Sequence, residues 1–178
     1  MKQVPHSERA AVISCIDGRL VLADARYAAR LRPKKGDMAP GFDFVIRMPG
    51  GGASVLTSEY REATIRSLHD AFGVRPFSRV ILVFHVSCGK LASKHTKLFD
   101  VQERPVERLS PGGNEVSSLA NLGNHATDIL VQDFVQLLAP EGTQFTIETR
   151  VVGITRNMLF LPTGKISYRS EMVVPTTI

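Results

Sequence analysis

The stretch "SRVILVFH", Ser78 to His85, carries the strongest strand signal in this sequence. Its unbroken run of Val, Ile and Leu is typical of a central parallel strand that is covered on both faces. Two shorter apolar runs rich in β-branched residues, "AAVISC" (Ala10 to Cys15) and "DFVIRM" (Asp43 to Met48), predict two more buried strands. Together they predict an α/β fold with a mainly parallel central sheet flanked by helices.

Helical patterns and further strands fill the rest of the chain. Residues 53–73, "ASVLTSEYREATIRSLHDAFG", predict one helix that ends near Gly73. Residues 114–142 predict one helix or two, closing at Pro140 and Gly142. Residues 143–154 and 158–169 predict later strands, with "PTG" (162–164) as a hairpin turn, and we expect one edge of the sheet to be antiparallel. The first helix is predicted from apolar residues that fall on one face: Leu56, Tyr60, Ala63, Leu68, Ala71 and Phe72.

Length and composition indicate one globular domain, residues 1–178. Apolar residues make up 43% of the chain and charged residues 22%, the usual mixture of a folded protein in water. No apolar run approaches the roughly 18 residues that span a bilayer, and the first ten residues lack the apolar core of a secretion signal. We therefore expect a cytoplasmic protein with no membrane partner. The net charge is +5, but the basic run "RLRPKKG" (Arg30 to Gly36) has no interleaved aromatic residue, so a nucleic-acid partner is not expected.

Cysteine and histidine residues stand at the ends of the first and third predicted strands. Cys15 ends the first strand, His85 ends the third, and Cys88 comes three residues later. Ligands in parallel sheets bind beyond the carboxyl ends of the strands, so these side chains are expected at one rim. Two thiolates and one imidazole are a donor set that suits zinc. The alternative is ordinary packing of two buried cysteines and a strand-end histidine. No comparable pattern surrounds the other histidines, His6, His69, His95 and His125.

Two charged residues stand just beyond Cys15, in "CIDGR". Asp17 could coordinate the metal as a fourth ligand or accept a hydrogen bond from water on the metal. Arg19 could hold Asp17 in a charge-assisted pair. The alternative is a surface ion pair of little energetic consequence.

The combination of Cys15-x-Asp17-x-Arg19 with His85-x-x-Cys88-Gly89 resembles the signature of the β-class carbonic anhydrases. "VIRMPGGGA" is similar to an Arg-Asn-Ala-Gly segment of that family, and the late "TGKI" to its terminal hairpin. The resemblance implies a β-carbonic-anhydrase-like fold, zinc (Zn²⁺) bound by Cys15, His85 and Cys88, an Asp17–Arg19 dyad, and a homodimer or higher homo-oligomer. Three positions depart from the family pattern: Met48, Pro49 and Ser87.

The resemblance also implies a reaction. The family interconverts carbon dioxide and bicarbonate with a zinc-bound hydroxide as nucleophile, and here Asp17 and Arg19 would gate and orient it. The same chemistry would also allow a hydrolase of a carbon dioxide analogue, carbonyl sulfide or carbon disulfide. Two further alternatives are a non-catalytic zinc-stabilised binding module and a redox dithiol, which the wide separation of the two cysteines disfavours.

The glycine run Gly50 to Gly52 follows the second strand. It fails the dinucleotide fingerprint at the third glycine, so a nucleotide cofactor is not expected. Glycines here would let the backbone approach the metal crevice, and with Gly89 they could contact the substrate or a bicarbonate anion. The alternative is a tight structural turn.

Overall fold

The computed structural model describes residues 9–17, 20, 42–107, 115–138, 145–152 and 176–177. Its strands are β1 (Ala10–Cys15), β2 (Phe42–Met48), β3 (Arg79–His85), β4 (Thr146–Val152) and β5 (Thr176–Thr177). All of them belong to one sheet in the order β2-β1-β3-β4-β5. The first four are parallel, and β5 pairs with β4 in the antiparallel sense at the edge. The predicted α/β class, with its parallel sheet and antiparallel edge strand, is confirmed.

The helices lie between these strands in the chain. They are α1 (Arg61–Val74), the four-residue α2 (Gly89–Ala92) and α3 (Glu115–Leu130). A 3-10 turn (Gly51–Leu56) precedes α1. A π-helical turn (Val131–Val135) and the short α4 (Gln136–Leu138) follow α3. No helix in the described ranges is long and apolar enough to cross a membrane. The predicted hairpin at 162–164, the basic run at 30–36 and the helix end at 140–142 lie outside the described residues.

Burial follows the strand predictions closely. All six residues of β1 are buried, and in β3 only Arg79 is partly accessible. Strands that alternate inward and outward residues cannot show this pattern, so helices and loops must cover β1 and β3 on both faces. Beneath α1, aromatic rings fill the core, with Phe77 stacked on Phe134 at a centroid distance of 5.8 Å. The prediction of a central strand at residues 78–85 is confirmed.

The predicted helix at residues 53–73 is wrong in its first half. Residues 51–56 form the 3-10 turn, Thr57 is extended with φ of −99°, and α1 begins only at Arg61. Gly50 and Gly51 have φ of 89° and 60°, which tightens the chain directly after β2 and delays the helix. Thr64, Leu68 and Ala71 form the buried face of α1, whereas Ala63, which we placed on that face, is exposed.

The order of the strands decides where a ligand can bind. In the sheet, β1 lies between β2 and β3, so the segment that connects β2 to β3 crosses over β1. Neighbouring strands whose connections leave in opposite directions open a crevice at their carboxyl ends. Cys15 pairs with Met48 across β1 and β2, and His85 pairs with Val152 across β3 and β4. The crevice between β1 and β3 is therefore bounded by Cys15 and His85.

Helix α3 packs across β3 and β4. Gly123 makes this close approach possible, because a Cβ atom there would lie only 2.5 Å from Thr149 Oγ1. The packing brings the first turn of α3 to the carboxyl ends of these strands, beside the loop that follows His85.

Candidate metal centre

Side chains of Cys15, His85 and Cys88 converge at the end of the sheet. One ligand atom from each lies within 4.8 Å of the other two. All three residues are buried, with exposed fractions of 4%, 1% and 2%. Within the part of the chain that the structure describes, no other set of three or more His, Cys, Asp or Glu side chains comes together in this way.

A short loop after β3 returns Cys88 to the strand end. Val86 donates its backbone N–H to the carbonyl oxygen of Val152 at 3.0 Å, which extends the pairing of β3 and β4 by one residue. Ser87 then takes a left-handed conformation with φ of 56°, and the chain turns sharply. Cys88 follows in extended geometry as the residue before α2. This reversal brings Cys88 next to Cys15, although 73 positions separate them in the numbering.

The His85 ring is fixed in the tautomer that a metal ligand requires. Its Nδ1 lies 3.0 Å from the carbonyl oxygen of Val86, so Nδ1 carries the proton and donates it there. Nε2 is then left with a lone pair. This atom is fully buried and has no hydrogen-bond partner among the described residues. Buried polar atoms are nearly always paired, so an unpaired ring nitrogen facing two sulfurs marks a place for a cation.

Both cysteines are free thiols, and they share a hydrogen bond. The hydrogen bond from Cys88 is the largest influence on Cys15 and holds the pKa of Cys15 well below its ordinary value despite burial. Because Cys88 is the donor, and because it is buried, its own pKa is raised. Backbone N–H groups favour the ionised sulfurs: those of Asp17 and Gly50 lower the pKa of Cys15, and those of Leu91 and Lys90 act in the same direction on Cys88.

This donor set fits zinc. Zinc bonds of about 2.3 Å to sulfur and about 2.0 Å to nitrogen in tetrahedral geometry place neighbouring donors roughly 3.5–3.8 Å apart. The observed group, within 4.8 Å, can close to those distances with small side-chain movements. Three protein donors leave one tetrahedral position for water or substrate, as catalytic zinc sites do.

Of the predicted Asp17–Arg19 dyad, the structure describes only Asp17. Asp17 is half-buried two residues after Cys15, and its carbonyl oxygen accepts the N–H of Leu20 at 2.9 Å. Its carboxylate does not belong to the group of mutually close ligand atoms. Arg19 lies outside the described residues. The gating role of this pair stays a prediction.

The glycine run packs the second strand's loop against the centre. A Cβ atom on Gly51 would overlap the Val83 carbonyl oxygen and lie 3.0 Å from the Cys15 nitrogen, and one on Gly52 would lie 2.5 Å from a ring carbon of Phe84. The glycines therefore allow the close backbone approach that the sequence predicts. Gly89 is exposed and faces open space. Contact of substrate or bicarbonate with Gly50, Gly51, Gly52 and Gly89 stays a prediction.

Several groups that support the centre have no signal in the sequence. The Val86 carbonyl orients the imidazole, and backbone N–H groups support both sulfurs. The Glu115 carboxylate accepts the N–H of Ser87 at 2.7 Å from 28 positions away. Backbone donors are common to almost every residue, and a lone glutamate at a helix start is ordinary, so sequence patterns do not single them out.

Comparison with known proteins gives likeness in shape only. No protein-family model matches the chain. No curated protein matches it in sequence. Among solved structures, the chain is similar to one of two tetrameric β-carbonic anhydrases from the filamentous ascomycete Sordaria macrospora, with 13% identity, coverage of 83% of this chain and 76% of that one, and a TM-score of 0.46.

Two more solved structures are similar at comparable levels. For the carbonic anhydrase from Streptococcus mutans the identity is 20%, the coverage 86% of this chain and 81% of that one, and the TM-score 0.41. For β-carbonic anhydrase isoform I from Trichomonas vaginalis the identity is 15%, the coverage 94% of this chain and 85% of that one, and the TM-score 0.41. All three identities are 20% or lower and all three TM-scores are below 0.5, so the chemistry of this chain has to be inferred from its own residues.

Proposed function

We propose that this protein is a zinc-dependent enzyme that interconverts carbon dioxide and bicarbonate. The observation that carries the proposal is the convergence of two buried sulfurs and an unpaired imidazole nitrogen within 4.8 Å at the carboxyl ends of β1 and β3. The motifs Cys15-x-Asp17-x-Arg19 and His85-x-x-Cys88-Gly89 support the same reading.

Cys15, His85 and Cys88 would hold the metal. Zinc bound there would supply hydroxide near neutral pH, because the ion lowers the pKa of water. Two thiolates offset the charge of the cation, so the site carries no large net charge when loaded. The N–H groups of Asp17 and Gly50 favour the thiolate form of Cys15, and those of Lys90 and Leu91 act in the same direction on Cys88; the thiolate is the form that ligation requires.

Asp17 would orient the attacking oxygen. An ionised carboxylate can only accept hydrogen bonds, so it would accept one from the O–H of the attacking oxygen and leave a lone pair of that oxygen facing carbon dioxide. In the proposal Arg19 pairs with Asp17 and keeps the carboxylate away from the cation. If Asp17 instead bound the cation as a fourth ligand, it would exclude water and the enzyme would rest. The balanced reaction joins carbon dioxide and water to give bicarbonate and one proton.

Two measurements on the purified full chain test the proposal. Metal analysis should find about one zinc per chain, and stopped-flow assays should show carbon dioxide hydration. Parallel assays should follow sulfide release from carbonyl sulfide and carbon disulfide. Bound zinc with sulfide release and no hydration would move the assignment to an analogue hydrolase. Bound zinc with no turnover in either assay would favour the non-catalytic binding module, and a chain without zinc would refute the proposal.

We also propose that the protein forms a homodimer or a higher homo-oligomer. Ile16, directly after Cys15, is 58% exposed, and Val45 on β2 is 44% exposed. In the described part of the sheet, β2 is an edge strand. An edge strand and exposed apolar side chains both favour association with another chain. Light scattering coupled to size-exclusion chromatography would measure the mass, and a monomer at micromolar concentration would contradict this proposal.

A further inference from the structure

Glu115 reaches the metal loop from a different element. It is the first residue of α3, and its Oε1 accepts the backbone N–H of Ser87 at 2.7 Å. Ser87 stands between the two candidate ligands of the loop, His85 and Cys88. A contact on Ser87 therefore acts on the spacing of both ligands without touching the metal.

The conformation of Ser87 needs such a contact. Its φ of 56° lies in the left-handed region, which residues with a Cβ atom rarely adopt. Such conformations persist only where the surroundings hold them. The Ser87 side chain is exposed, so packing around it does little to hold the turn. A short bond from the backbone N–H to a carboxylate is stronger than one to a neutral acceptor.

Both ends of the loop are already anchored. Val86 donates to Val152 in β4 at 3.0 Å, and His85 Nδ1 donates to the Val86 carbonyl. On the other side, the Cys88 carbonyl accepts the N–H of Ala92 in α2 at 2.9 Å. Between these anchors, Glu115 fixes the residue at which the chain reverses. A 16-residue helix with its positive end at the first turn also favours a carboxylate there.

We infer that Glu115 is a positioning residue that holds the His85–Cys88 loop in its metal-binding shape by accepting the Ser87 N–H. This inference rests on the proposed function in one respect, the binding of a metal by His85 and Cys88. The part that concerns the loop conformation itself does not depend on a metal.

The first test measures zinc release from the full chain into a chromogenic chelator. Glu115→Ala should release zinc about tenfold faster, the lower end of what removal of a residue supporting a ligand usually costs. Glu115→Gln keeps an acceptor oxygen but loses the charge, so its rate should rise only about threefold, since neutral hydrogen bonds are roughly half as strong. Glu62→Ala removes an exposed acid from the first turn of α1 and should leave the rate unchanged.

A rescue separates positioning from general stabilisation of α3. Glycine adopts positive φ without strain, so Ser87→Gly combined with Glu115→Ala should bring the release rate most of the way back to that of the wild type. If Glu115 only stabilised α3, glycine at position 87 would restore nothing. Equal release rates in Glu115→Ala and Glu62→Ala would overturn the inference.

The second test uses the metal-free chain and hydrogen exchange at the Ser87 amide. In Glu115→Ala, loss of the hydrogen bond to the charged carboxylate should speed exchange of the Ser87 amide at least about tenfold and leave exchange of the Val86 amide unchanged. Unchanged exchange at Ser87 would refute the positioning role. If wild-type protein binds no zinc while Ser87 exchange still responds to Glu115, the proposed function fails and the loop inference stands.

Discussion

Cys88 and Asp17 should fail in different ways when each is replaced, because one would hold the metal and the other would act on the reacting oxygen. Cys88→Ala removes one of three donors and leaves an opening in a buried site, so we expect it to lose the zinc. Metal analysis after dialysis measures this directly. A Cys88→Ala protein that still carries about one zinc per chain would contradict the ligand assignment.

Asp17→Ala should instead keep the zinc and lose activity. Removing a group that orients a proton typically slows the chemical step by about 100-fold or more, so hydration of carbon dioxide should fall by at least that factor. Asp70→Ala, which removes an exposed carboxylate from α1, is the matched control and should leave both properties unchanged. Full hydration activity in Asp17→Ala would refute the gating role.

Asp100 gives the stability of the fold a defined dependence on pH. Burial raises the pKa of this carboxyl, but hydrogen bonds from the backbone and side chain of Arg104 and from the N–H of Gln102 outweigh burial, and the pKa lies below its ordinary value. Its stabilising contribution is therefore complete above the unfolded value of 3.8 and is lost as the pH falls through the lower folded value. Urea unfolding should show that Asp100→Asn has a lower free energy of unfolding than the wild type at neutral pH, and that this difference narrows under acid conditions. A difference that does not change with pH would contradict this account.

At the level of elements, the turn between β2 and α1 depends on glycine. Gly51 has a φ of 60°, and a Cβ atom there would overlap the Val83 carbonyl oxygen. Gly51→Ala should therefore lower the free energy of unfolding by about 3 kcal/mol, from backbone strain and overpacking together. Gly73 in α1 meets nothing within 4 Å, so Gly73→Ala should raise it by roughly 0.5–1 kcal/mol. Chemical denaturation of both variants measures the contrast, and equal effects would contradict it.

The strands and the helix before β3 show what local sequence can predict. Continuous β-branched runs specify β1 and β3 because both faces of these strands are buried, and their bounds were predicted to within a residue. The start of α1 was not predicted correctly, because the apolar spacing continues through residues 51–56 while positive φ values at Gly50 and Gly51 impose a tighter turn. Periodicity reports which side chains face the core, and it does not report backbone torsion angles.

The same limit applies to the candidate metal centre. Cys15 and His85 could be predicted as neighbours because each ends a strand of one parallel sheet, and Cys88 follows His85 closely. The contact of Glu115 with Ser87 could not be predicted, because it depends on how α3 packs over β3 and β4. That packing is set by close approaches such as Gly123 against Thr149. Side chains that act through tertiary packing leave no local pattern.

For the whole molecule, the proposed zinc would join parts of the chain that are far apart in sequence. Cys15 belongs to β1, whereas His85 and Cys88 belong to β3 and the loop after it, so a cation on all three ties two central strands together. The unfolded chain cannot present these donors at bonding distance, so the free energy of binding adds to the free energy of folding. Zinc at about 100 times its dissociation constant would add roughly 2.7 kcal/mol.

Removing the metal should therefore lower the melting temperature of the wild-type protein. For a chain of this size, 2.7 kcal/mol corresponds to a shift of about 5–10 °C. Differential scanning calorimetry with and without a chelator measures the shift, and added zinc should reverse it. Cys88→Ala is the control, because a chain that cannot hold the cation should melt at the same temperature in both conditions. An equal chelator effect on Cys88→Ala and wild type would place the zinc elsewhere, and no effect on either would mean that no cation joins β1 to β3.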